Sequence, residues 1–168
     1  MELVSILTGE NEGMGRPHDK PPSVHGDLRA LMVSVNDFGN FCILPAARTA
    51  ALWPLLPSII GTADGVFPWK EYRTALGFVV DSEEEADYIP LGGTIRLHAL
   101  KTSEGEGYEG AFKAAVEALK IATTLFHEAN GTTPLPDFLP EHMERLASYL
   151  EANKDNSLLF PAEEEVAA

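Results

Sequence analysis

The chain has one cysteine, Cys42, so no disulfide can form within it, and nothing in it requires an oxidising compartment. Basic residues are scarce. Twelve Lys and Arg stand against twenty-six Asp and Glu, a formal net charge of −14. That balance argues against direct nucleic-acid binding, which rests on Lys and Arg neutralising phosphates. Long apolar runs are missing too. The most apolar stretch, Phe41 to Ile60, contains Arg48 and the prolines Pro45, Pro54 and Pro57, so it fails as a membrane span. The start, Met1-Glu2 ahead of the short apolar stretch Leu3 to Leu7, lacks the basic opening and longer apolar core of a secretory signal. The expected location is the cytoplasm, or a particle assembled there.

What is present fits an ordinary globular chain. Its 168 residues suit one domain, and 45% apolar with 23% charged residues can support a core. The expected organisation is a single domain over 1–168, with a Gly/Pro-rich arm at 9–26 and an acidic C-terminal tail at 157–168. The charge is uneven. Residues 1–60 carry net −2 and residues 61–168 carry net −12. Two blocks concentrate it, Asp81 to Asp87 and Glu163-Glu164-Glu165. Net charge of this kind speaks to partners and solubility, not to fold.

Hydrophobic spacing predicts the elements. Leu3 to Leu7 reads as a short strand. Leu31, Val33 and Val35 alternate with Ala30, Met32 and Ser34, Asn36 to Asn40 supplies turn chemistry, and Phe41 to Leu44 returns, which together read as a hairpin. Pro45 suits the first turn of a helix that runs to Trp53. Thr74 to Val80 and Gly93 to Leu100 read as a second strand pair, with Ile95, Leu97 and Ala99 on one face and Arg96 and His98 on the other. The last third is helical. Tyr108, Phe112, Ala115, Leu119, Ala122 and Phe126 repeat at helical spacing up to the stop Asn130-Gly131, and Leu139, Met143, Leu146 and Leu150 form a later stripe behind Pro140. Strands and helices are segregated, so the expected class is α+β, a mainly antiparallel sheet with the C-terminal helices packed on one face.

No motif names a reaction. The Gly-rich segment Gly9 to Gly15 follows an apolar run as a phosphate loop would. It lacks the Gly-Lys-Ser/Thr ending and places Glu10 and Glu12 where a phosphate needs N–H groups. Among the histidines His18, His25, His98, His127 and His142 there is no His-x-x-x-His pair. His127 and His142 read as exposed positions on consecutive helices, and no metal or cofactor is expected. Cys42 has apolar neighbours, the setting of a buried structural thiol. Glu83-Glu84-Glu85 reads as a solvated loop without calcium-loop spacing.

The residues left over suggest contacts with another protein. Aromatics cluster around prolines, and Trp53, Phe67 and Trp69 are of the type enriched at interface hot spots. The acids Asp81, Glu83, Glu84, Glu85 and Asp87 suit a basic partner, and Leu158, Leu159 and Phe160 form an apolar plug ahead of the acidic tail. The expected function is therefore non-catalytic protein–protein interaction, as a structural or accessory subunit of a larger assembly. Viral and phage structural proteins share this character by analogy only. The partner is a protein, basic or a second copy of the chain, with no membrane contact. Two other readings stay open. In one the chain is an acidic mimic of nucleic acid that occupies a basic groove, with Glu104, Glu106 and Glu109 extending the acidic edge. In the other it is a small hydrolase-type enzyme whose pocket gathers His98, Tyr72 or the acidic loop.

Overall fold

The structure, a computed structural model, describes residues 2–10, 20–40, 43–79 and 91–155. Within them the chain forms α1 (Glu2–Thr8), α2 (Gly26–Asn40), α3 (Pro45–Leu52), α4 (Leu56–Ile59), α5 (Trp69–Ala75), α6 (Leu91–Thr102), α7 (Gly107–Asn130) and α8 (Pro140–Ala152). A 3-10 turn, Trp53–Leu55, joins α3 to α4. The described residues contain no strand, so the fold is all-helical and the expected α+β architecture with an antiparallel sheet is overturned.

The physical reason is visible in α2. Leu31, Val33 and Val35 alternate as a strand would, but Val33 is 36% exposed. The residues that the core takes are Leu28, Leu31, Met32 and Val35, the i, i+3, i+4, i+7 spacing of one helix face. The expected turn, Asn36 to Asn40, lies inside the last turns of that helix. The strand expected over Gly93 to Leu100 fails in the same way. Ile95 and Ala99, four apart, are buried, whereas Leu97 is 50% exposed. Leu3 to Leu7 is a helix with Val4 and Leu7 fully buried; a run this short, apolar except at Ser5, carries no period to separate the two structures. Thr74 belongs to the end of α5.

The helices expected at 45–53, in the last third and behind Pro140 are present, with Pro45 and Pro140 in the first turns of α3 and α8. α7 organises the rest. Ala111, Ala115, Ala118 and Ala122 form one buried row, and Phe112, Val116, Leu119, Thr123 and Phe126 form another beside it. The two rows cover a face too broad for one neighbour, so α2 and α6 both pack on α7 and also on each other. α5 packs on α7, α3 on α2 and α1 on α8. The buried apolar side chains form one cluster.

Polar side chains tie the peripheral pieces down. Glu10 accepts the backbone N–H of Ser23 at 2.7 Å, which joins the end of α1 to the approach to α2. His25 accepts the N–H of Asp27 on Nδ1 at 3.2 Å and so caps α2, while its backbone N–H donates to the buried Thr62 hydroxyl at 3.1 Å. Arg145 donates to the Leu7 carbonyl at 3.4 Å, at the carbonyl end of α1. No helix among the described residues is long and apolar enough to cross a membrane.

His127 and His142 are not exposed, as their helical setting suggested; both are buried. His142 Nδ1 accepts the Leu139 N–H at 3.2 Å in the first turn of α8. His127 Nε2 lies 2.7 Å from the Ser58 carbonyl, which only accepts, so this nitrogen carries the proton. Its Nδ1 lies 2.7 Å from the Thr132 hydroxyl. The ring thereby joins α7 to a residue 69 positions earlier. Replacing it with an aromatic, His127→Phe, takes this donor from the part-buried Ser58 carbonyl. A loss of about 1–3 kcal/mol is expected in urea unfolding; an unchanged midpoint would show that the two bonds contribute nothing.

Candidate functional site

A cavity on the surface lies between the last turns of α7 and the segment that enters α5. Its volume is about 650 Å³. One wall is Val66, Phe67, Pro68 and Trp69, and the facing wall is Leu125, Glu128 and Ala129 of α7. Lys70 and Glu71 complete the lining.

Local chemistry explains why the first wall stands where it does. Pro68, with φ −81° and ψ 67°, is the centre of an inverse γ-turn closed by the Trp69 N–H on the Phe67 carbonyl at 2.9 Å. The Pro68 carbonyl then accepts the Tyr72 N–H at 2.9 Å and starts α5. Phe67 is buried, with its ring 5.6 Å from that of Tyr72 in an edge-on arrangement. Val66, by contrast, is 75% exposed. Its backbone is nevertheless held. The Val66 N–H donates to Asn130 Oδ1 at 2.9 Å, and Asn130 Nδ2 donates back to the Val66 carbonyl at 3.0 Å. Asn130 thus completes for a loop the paired bonds that a neighbouring strand would supply. The approach is close. A Cβ on Gly65 would fall 2.8 Å from both Asn130 Oδ1 and Phe126 Cζ, and its φ of 147° also suits glycine alone.

Trp69 is partly exposed at the groove, and the Arg73 guanidinium lies 5.6 Å from the centre of its ring. Two expected contact residues, Phe67 and Trp69, are therefore brought together on one wall. Trp53 is elsewhere. Its ring packs 4.6 Å from that of Phe138, ahead of α8, and it lines a separate cavity of about 150 Å³ with Leu3 and Met32. Asp81, Glu83, Glu84, Glu85, Asp87, Leu158, Leu159, Phe160 and Cys42 lie outside the described residues. Glu104, Glu106 and Glu109 are exposed around the turn from α6 to α7. α6 itself is about 18 Å long by its residue count.

Of the residues considered for catalysis, His98 donates from Nδ1 to the Leu76 carbonyl at 3.1 Å, and Tyr72 is fully buried. Neither lines the groove. Among the described residues no three His, Cys, Asp or Glu side chains gather as a metal site. No family model, curated protein or solved structure matches this chain.

Val66, Leu125, Ala129 and Asn130 were not among the residues expected to matter. Asn130 announces itself in the sequence only as half of a helix stop. Its second role depends on a segment 64 residues away and leaves no local pattern.

Tyr72 carries an unusual cost. Its hydroxyl has no hydrogen-bond partner among the described residues, and burial pushes its ionisation well above the ordinary value of 10.0. Removing the hydroxyl in Tyr72→Phe is expected to raise stability at neutral pH by about 1 kcal/mol, read by urea unfolding. The phenol ionises first in the unfolded chain, so wild-type stability falls as pH rises above 10. The variant loses that contribution, and the gap between the two widens with pH. A destabilised Tyr72→Phe would show that the hydroxyl has a partner.

Proposed function

We propose that this chain is a non-catalytic protein–protein interaction protein, a structural or accessory subunit of a larger assembly, acting in the cytoplasm or in a particle assembled there. The observation that carries the reading is the groove. Its wall exposes Val66 and part of Trp69, yet the backbone beneath is fixed by Asn130, by the Pro68 turn and by the buried anchor Phe67. Apolar side chains held in place at the surface lose little freedom when covered, which is the arrangement that favours binding over collapse. Catalysis would need ionisable groups converging on the reacting atoms. The polar groups on this cavity are Lys70, Glu71 and Glu128, set around apolar walls.

The test compares baits. Val66→Asp and Ala129→Arg both alter exposed positions of the groove and leave the core intact. Their thermal unfolding is expected to match the wild type. In capture from the native source followed by mass spectrometry, the wild-type chain retains a protein that both variants lose. Identical recovery with all three baits, or no recovery with any, contradicts the reading.

A further inference from the structure

The groove also carries information about what fills it. Its volume of about 650 Å³ lies in the range of small-molecule sites, but such sites enclose most of their ligand. This one is open to solvent along the edge where Val66 and Ala129 are exposed, which suits a chain passing through. Its lining is apolar at Pro68, Trp69 and Leu125, and its charged groups are two carboxylates, Glu71 and Glu128, against one ammonium, Lys70. Both carboxylates are solvent-exposed, and neither has an ion-pair partner among the described residues. Arg73 packs over the Trp69 ring, so the indole already takes a guanidinium within this fold. An acidic segment would meet Glu71, Glu128 and the field of a chain with net charge −14, and would be repelled.

We propose that the groove binds a basic peptide segment of a partner protein, with an apolar side chain against Trp69 and Leu125 and flanking Lys or Arg beside Glu71 and Glu128. The proposal rests on the interaction reading above and adds the chemistry of the partner. Charge brings the segment in and fixes its register, and the apolar contact supplies most of the affinity. Ion pairs to exposed carboxylates are individually weak, so recognition requires both features in one segment.

The experiment is calorimetric titration of the full chain with three end-blocked pentapeptides, Arg-Leu-Arg-Leu-Arg, Glu-Leu-Glu-Leu-Glu and Arg-Ser-Arg-Ser-Arg, at low and moderate salt. The first is expected to saturate at about 1 mM or below and to perturb Trp69 fluorescence in a Trp53→Phe background. The acidic peptide and the serine peptide are expected not to saturate over that range. The double variant Glu71→Gln/Glu128→Gln, altered only at exposed positions, is expected to weaken the first peptide about fivefold at low salt. Val66→Ser, which removes apolar surface without adding a carboxylate, is the control for the apolar wall. Equal binding of the acidic peptide, no binding of the basic apolar peptide, or binding indifferent to Val66→Ser overturns the inference. A captured partner that depends on Val66 and Ala129, alongside failure of the basic peptide, overturns the inference and leaves the interaction reading standing. Failure of both experiments removes both.

Discussion

The last two turns of α7 hold together parts of the chain that are far apart in sequence. Phe126 packs 5.2 Å from the ring of His25, at the cap of α2. His127 reaches the Ser58 carbonyl in α4, and Asn130 pairs with the backbone of Val66. Gly131 then ends the helix in the left-handed conformation at φ 62°, with the Thr132 N–H on the His127 carbonyl. These contacts follow from one constraint. A 24-residue helix with two adjacent buried rows must lie at the centre, and its end becomes the place where peripheral segments find partners. His127 and Asn130 each bond to a group from another segment, and this specifies position as well as contributing energy.

The groove depends on that arrangement. Val66 is exposed because its neighbours on both sides are anchored, Phe67 against Tyr72 and Gly65 against Phe126 and Asn130. A loop without these anchors would fold its valine inward or leave the backbone unpaired. Charge operates at two ranges here. Glu71 and Glu128 lie within the groove, whereas the remaining excess of carboxylates gives the chain a negative long-range field. The proposed segment answers to both.

The helices of the last third were legible in the sequence because Phe112, Ala115, Leu119, Ala122 and Phe126 sustain a helical period over many residues, with a stop at Asn130-Gly131. The strands expected over α2 and α6 are helices for a definite reason. In α2 the apolar positions include both an alternating set, Leu31, Val33 and Val35, and a helical set, Leu28, Leu31, Met32 and Val35. Only the second is fully buried, and burial is not visible in a short window. In α6 the residues Ile95 and Ala99 satisfy both periods at once. Of the site, the aromatic pair Phe67 and Trp69 could be picked out by residue type. Val66 and Asn130 could not, because their importance arises from a pairing across 64 residues.

α7 fixes the groove wall through Asn130, and amide hydrogen exchange of the free chain, resolved by residue, tests this most directly. Val66 is 75% exposed, but its N–H is donated to Asn130 Oδ1. The account predicts that this amide exchanges slowly in the wild type, far more slowly than that of exposed Asp64, and that Asn130→Ala removes the protection while the amides of α7 around Leu119 stay slow. A Val66 amide that exchanges as fast as that of Asp64 in the wild-type chain would contradict it.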